Sequence, residues 1–350
     1  MDSQATVLCE TGENLWLISC GRQFVVSRYG KRRPRECAGN CFASCHCFVP
    51  RKDSKMKIIL SRKGFDTGNG GISSPIFPDG KMISLPIPFR CAPTRFHEVR
   101  YSYGGNLHTI AELITTLKRR RAGPAPNDLC HVDPDLRKEA LESRGDGWRP
   151  SFGQEGCPQC HLRKQGVGRG DLFLFFGRFQ QITDTANGWQ YQQDTMPVHA
   201  LYGRLQIGAD PIPAADPNLL NHYPWLHDHA HLCDGYAEAV QGENVIYVAS
   251  ERLNLCGVEA GGAGVFKYNG DLVLTVQGQD VRCDIWDLSR WWGPLKNAAF
   301  SHHCKPKNLD GQDGALFNLR GQWQELVVDS SKYPEVLNWA AGLIQNHRGQ

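Results

Sequence analysis

No apolar run in the 350 residues approaches the roughly 20 needed to cross a bilayer. The first residues also lack a basic segment followed by an apolar one, so a soluble, unexported, cytoplasmic protein without membrane partners is the expectation. A dominant charge is missing too. The net charge is +3, and the nine Lys or Arg against five Asp or Glu in residues 1–55 leave 30 against 31 for the remainder. Such a neutral body lacks the basic footprint that makes nucleic-acid binding the default reading, although a local patch stays open. Internal repeats are absent, and so are the two glycine-rich phosphate signatures, G-x-x-x-x-G-K-[ST] and G-x-G-x-x-G.

Cysteine is not scarce, but its use argues against a disulfide framework, which belongs mainly to small secreted domains. Six of the 14 cysteines fall at Cys9, Cys20, Cys37, Cys41, Cys45 and Cys47. The spacing from Cys37 to Cys47, with His46 inside, fits no standard zinc pair, so reduced thiols are the expectation.

With 41% hydrophobic and 21% charged residues the chain is of ordinary globular composition. Residues 1–55 carry the basic run Lys31 to Arg35 and little periodicity, and the character changes at Met56, where MKIIL reads as a buried first strand. Residues 1–55 are therefore expected to be a poorly ordered extension or the product of an upstream start codon, and 56–345 an α+β domain. Asp79-Gly80 and Asn269-Gly270 between apolar stretches signal hairpins. Leu107 to Arg120 has a helical stripe ending in the basic run Lys118 to Arg121. DLFLFFGRF, VHALYGRLQIG, NVIYVAS, GVFKY and DLVLTV read as strands, and Pro334 to Ile344 as a terminal helix. The fold class is α+β, strand-rich with few helices.

Several segments carry chemistry. The loop from Ser61 to Gly71 follows a strand and holds Arg62 and Lys63, so cations and amides could converge on a phosphate. In CHVDPDL, alternation would set His131, Asp133 and Asp135 on one face for proton transfer or a divalent metal. Against this, Asp133-Pro134 also looks like the start of a helix, with Asp133 capping it. CPQCH (Cys157 to His161) matches a haem-attachment string that needs export, and as a zinc half-site it lacks a second pair, which leaves incidental thiols. In HDHAHLC a strand would project His227, His229, His231 and Cys233 from one side as metal ligands, whereas a polar loop would use them for turns or substrate. Asp171 enters an apolar strand and could simply fix its turn. Trp286, Trp291 and Trp292 are either core or a stacking surface for a base.

MKIILSRKGFDTGNGGISSPIFPDGKMISLPIP, together with CHVDPDL, GWRPSFGQ, GVGRGDLFLFFG, DHAH and QELVVD, resembles the third family of nucleotide modification associated domains, from Met56 nearly to the C-terminus. That resemblance implies a bacterial-type α+β domain associated by genomic context with base-modification systems, without an established reaction. It marks Arg62, Lys63, Asp66, His131, Asp133, Asp135, Gln154, His161, Asp171, His229, His231 and Glu325, and leaves out the cysteines of CPQCH. The strand-rich half is more loosely similar to PUA-like barrels, including those that bind modified bases.

Two functions follow. In one, the protein acts on a nucleotide or nucleobase, with His131, Asp133 and Asp135 catalytic and Arg62, Lys63, Asp66, Gln154, His161, His229, His231 and Glu325 binding substrate. The cofactor is open, with a divalent metal one option. In the other, a PUA-like module reads modified bases without chemistry. The implied partner is a nucleotide or nucleic acid, DNA ahead of RNA.

Overall fold

A computed structural model of the chain describes residues 8–11, 14–17, 56–66, 68–118, 123–236, 243–276, 282–287, 301, 316–318 and 325–348. The expectations for the basic run 31–35, for the cysteine and histidine side chains of residues 1–55, for residues 119–121 and for Trp291 and Trp292 concern residues outside that set. The chain divides into two units, Met1–Arg51 and Lys52–Gln350. In the first, Leu8–Thr11 pairs antiparallel with Asn14–Leu17. All candidate site residues belong to the second.

MKIIL forms the first strand of that unit, Lys57–Arg62. It runs parallel to the long strand Leu172–Thr183, which pairs antiparallel with Val198–Gln206 on its other side. Ala263–Val265 and Glu325–Asp329 are the outer strands of this path. Ser74–Ile76 and Gln190–Tyr191 join the far end of the long strand. Both faces are covered, which is why the strands read as continuous apolar runs rather than alternating ones. Ile58, Leu60, Leu172, Leu174 and Phe176 face one core, shared with the terminal helix Glu335–Asn346. Ile59, Phe173 and Phe175 face the other. A bulge at Phe175/Phe176 leaves Tyr202 as the extra residue on the partner strand, so Leu205 and Tyr202 share one core while Leu201 turns to the other.

Two smaller sheets deliver the polar residues. Ser151–Glu155 pairs with Asn244–Val248, which also carries Ile212–Pro213. Leu129–His131 lies between Ile87–Pro88 and Thr94–Arg95. Strand ends at Arg62, His131 and Glu155 thus converge on one hollow.

The domain is α+β and strand-rich with few helices. Some elements differ from their expected form. The first helix, described over Ile110–Lys118, starts at Ile110 and not at Leu107, because Asn106–Thr109 is a strand paired with Arg100–Tyr103. A reciprocal cap then starts the helix: the Thr109 amide donates to Glu112 Oε2 (3.0 Å) and the Glu112 amide to Thr109 Oγ1 (3.3 Å). Asp79-Gly80 does make the expected tight turn, with Gly80 at φ +84°. Asn269-Gly270 instead opens a short 3-10 turn, Gly270–Leu272, whose Asp271 amide is capped by the Asn269 side chain. HDHAHLC is not a strand but a run of turns that follows the 3-10 turn Pro224–Leu226 and contains another, Ala230–Leu232. Among the described residues no ladder joins the two outer strands of the large sheet, and a PUA-like barrel is not shown.

Candidate functional site

A cavity of about 150 Å³ opens where the three sheets meet, lined among others by Arg62, Lys63, Asp66, His131, Asp133, Gln154 and His231. These expected residues come from four separate stretches of chain. His229 packs directly behind them, its ring 5.6 Å from that of His231.

Asp133 is the hub. Its side chain is only 4% exposed, and no helix follows it: the Gly153 amide donates to its Oδ1 from across the cavity (2.8 Å). The capping role that Asp133-Pro134 suggested is therefore not the one it plays. His229 Nε2 approaches Oδ1 at 3.9 Å and His231 Nε2 approaches Oδ2 at 3.8 Å. Burial pushes the Asp133 carboxyl well above the usual carboxylate range, opposed mainly by the Lys63 cation. Burial likewise holds His229 and His131 well below the ordinary imidazole value, with the neighbouring rings and, for His131, Lys63 adding to it. His231 is brought down to about 4 by burial, against a bond to Asn244 that favours the charged ring. At neutral pH the three imidazoles are neutral bases, and the approaches of His229 and His231 to Asp133 are not ion pairs.

Hydrogen bonds fix which nitrogen of two rings carries the proton. His231 Nδ1 lies 2.6 Å from Asn244 Oδ1, while Asn244 Nδ2 donates to the His231 carbonyl (3.1 Å). The amide is thereby oriented with its oxygen toward the ring, so Nδ1 donates and Nε2 presents a lone pair to the cavity. In His229 the reverse holds, because Nδ1 accepts the His231 amide (3.2 Å), which places the proton on Nε2, toward Asp133. The Tyr236 hydroxyl sits 3.2 Å from Nε2 of both His131 and His231 and also interacts with the Glu155 carboxylate. The ligand atoms of His131, Asp133 and His231 all lie within 4.8 Å of one another, a set of donors that suits a transition metal.

The cationic side of the cavity is built differently. Lys63 Nζ is 3.3 Å from Glu325 Oε1 and 4.6 Å above the centre of the Phe152 ring. Glu325 is buried and also accepts from Ser61 Oγ (3.1 Å) and from Gln154 Nε2. Gln154 and Glu325 therefore hold Lys63 in place from below. Arg62 pairs with Asp66 at 3.5 Å and is more open. Asp66 Oδ1 accepts the amides of Gly68 and Asn69, and the amides of Lys63, Phe65, Asp66 and Gly71 bond to backbone carbonyls. With those donors engaged inside the protein, an anion at this loop would meet the side chains of Arg62 and Lys63.

The other marked residues lie elsewhere. Asp135, expected on the same face as His131 and Asp133, turns away and pairs with Arg144; burial raises its carboxyl to about 7 against the pull of that arginine. The chain bends after Asp133, so the alternation of an extended segment does not persist to Asp135. His161 is buried in the helix Gly156–Lys164, which contains the whole of CPQCH, with Cys157 exposed. Asp171 fixes a turn, accepting the Lys57 amide (2.9 Å) and the Gly168 amide (3.0 Å). His227 is exposed, Cys233 contacts the Cys91 carbonyl, and Trp286 is core.

Sequence reasoning passed over Phe89, Gly153, Glu155, Tyr236 and Asn244. A Cβ on Gly153 would overlap the His231 ring, so glycine is what lets that imidazole lie against the strand. Phe89 and Tyr236 form an aromatic wall, with ring centres 5.2 Å apart. Two of these residues flank the quoted Gln154, but only the fold shows which way they face.

No curated protein and no solved structure matches the chain. A family model described as nucleotide modification associated domain 3 matches residues 57–329. That span begins at the first strand and ends with the strand that carries Glu325, so it encloses every residue lining the cavity, and the chain belongs to the nucleotide modification associated domain 3 family.

Proposed function

We propose that the protein is an enzyme that processes a nucleotide or nucleobase, holding the reacting end of its substrate in the Asp133 cavity. The observation that carries this reading is the division of the cavity into two chemically distinct sides. One side offers Arg62 and Lys63, suited to a phosphate. The other offers neutral His131 and His231 around a buried Asp133, suited to moving a proton. Phe89 and Tyr236 between them supply flat surface for a heterocycle.

Size sharpens the reading. The cavity of about 150 Å³ is smaller than the roughly 300–1,000 Å³ of pockets that bury a whole ligand. It takes in a base or a phosphoryl group, and the rest of the substrate lies over the more open Arg62 side. In this reading Arg62 and Lys63 neutralise phosphate, Gln154 and Glu325 position Lys63, and His131 or His231 accepts the proton. His229 orients Asp133. Asp135 and His161 act through the fold.

The test is incubation of the full chain with free nucleotides and with modified and unmodified DNA and RNA, with and without divalent metal ions, followed by digestion and mass spectrometry. A changed nucleoside or nucleotide that disappears with His131→Ala, at unchanged circular dichroism, is the expected result. Base-selective binding with every nucleoside unchanged would replace the enzyme by a reader.

A further inference from the structure

We propose that His131 Nε2, Asp133 Oδ2 and His231 Nε2 bind one divalent first-row transition-metal ion, with its open coordination positions directed at the Lys63 side of the cavity. The ligand types come first. Two imidazoles and one carboxylate suit zinc, iron(II), manganese or cobalt, and three protein ligands with positions to spare mark catalytic rather than structural sites. Their atoms already lie within 4.8 Å of one another on buried side chains, so small rotations bring them to the roughly 2.0–2.2 Å that such an ion requires.

The surroundings of the ligands are the second and stronger observation. Metal-bound histidines donate their other ring N–H to an oxygen, and ligating carboxylates are themselves hydrogen-bonded. His231 has this arrangement through Asn244 Oδ1. Asp133 has it through the Gly153 amide on Oδ1, the oxygen that His229 Nε2 also faces at 3.9 Å, which leaves Oδ2 for the ion. His229, with its proton on Nε2, is thereby an orienting residue and not a ligand, although sequence spacing groups it with His231.

The third observation is a shortage of donors. One hydroxyl proton on Tyr236 faces His231 Nε2, left with a lone pair by the Asn244 bond, and the Glu155 carboxylate, and it can satisfy only one of them. With the hydroxyl proton on Glu155, a cation supplies what His231 Nε2 lacks. Ion binding itself does not depend on the nucleotide reading; with the ion bound, the Nε2 lone pairs of His131 and His231 coordinate it, so the proton-accepting role of these rings belongs to the metal-free site, and only the use of the open positions by a phosphorylated or heterocyclic substrate rests on that reading.

The experiment uses the full chain, stripped with chelator and titrated with Co²⁺ as a spectroscopic probe and with Zn²⁺ by calorimetry. One saturable equivalent is expected, with visible Co²⁺ bands of nitrogen and oxygen ligation. His231→Ala and Asp133→Asn should abolish it. Asn244→Ala and His229→Asn should weaken it by about 10- to 100-fold, since they orient ligands without touching the ion. His227→Ala and the Cys157→Ser/Cys160→Ser pair should leave it unchanged. Circular dichroism separates loss of binding from loss of fold, and the milder Asn244 and His229 variants keep the question answerable if the ligand variants unfold. Absence of a saturable equivalent, binding that survives in folded His231→Ala, or binding lost only with the cysteines would overturn the proposal. Nucleotide binding measured on the same stripped protein distinguishes a failed metal centre from a failed nucleotide pocket.

Discussion

At the scale of single residues, Gly153 and His199 show how closely the interior is fitted. Gly153 donates its amide to Asp133 and leaves room for the His231 ring. Gly153→Ala should displace His231 and lower activity or metal affinity by at least tenfold while the protein stays folded, read by calorimetry beside circular dichroism. His199 lies apart from the site, and its Nδ1 accepts the buried Trp286 indole N–H (3.1 Å). Burial, with help from Arg62 and Arg178, holds it down to about 3. Its unfolded value is about 6.5, so the folded state favours the neutral ring. This contribution is complete above pH 6.5 and is lost as pH falls toward 3, the loss reaching about 2 kcal/mol by pH 5. His199→Gln, which keeps an acceptor for the indole, should lose less stability between pH 7.5 and pH 5 in urea unfolding than the parent chain. An equal loss in both would remove His199 as the cause.

At the scale of elements, the apolar runs were legible and the polar bends were not. MKIIL, DLFLFFGRF and VHALYGRL announce strands because burial on both faces leaves no other reading for short β-branched and aromatic runs between turns. The terminal helix was equally plain from its spacing. Leu107 was misassigned because its strand pairing with Ser102 is a contact that periodicity does not contain. Histidines at period two looked like a strand, yet His227 is exposed while His229 and His231 are buried by turns whose geometry depends on the Asn244 strand. Asp135 failed for a related reason, since alternation holds only while the chain stays extended. The central strand permits a quantitative check. Leu174 is fully buried in the core shared with the terminal helix, and Leu174→Ala should cost about 2–5 kcal/mol in denaturant unfolding. A change below 1 kcal/mol would mean that this core is not as packed as described.

At the scale of the whole molecule, the family span, the cavity and both cores fall within Lys52–Gln350. Met56 packs on the core with the terminal helix, and its carbonyl accepts the Ser330 amide (3.3 Å). A chain beginning at Met56 should therefore fold and retain whatever binding the full chain shows; failure to fold would make residues 1–55 part of the domain. The candidate site was legible only as a set of residue types. Arg62, Asp133 and His231 stood out by chemistry and by their motifs, whereas their convergence depends on three sheets meeting, which no local pattern encodes. The central claim is that these distant segments share one nucleotide pocket. Calorimetric titration of nucleoside monophosphates and short oligonucleotides into the parent chain and into Arg62→Ala tests it most directly, because the half-open Arg62–Asp66 pair is worth under about 1 kcal/mol to the fold. The account predicts saturable, salt-sensitive binding that weakens at least tenfold in Arg62→Ala and disappears in His231→Ala; no binding by the parent chain, or equal binding by all three, would contradict it.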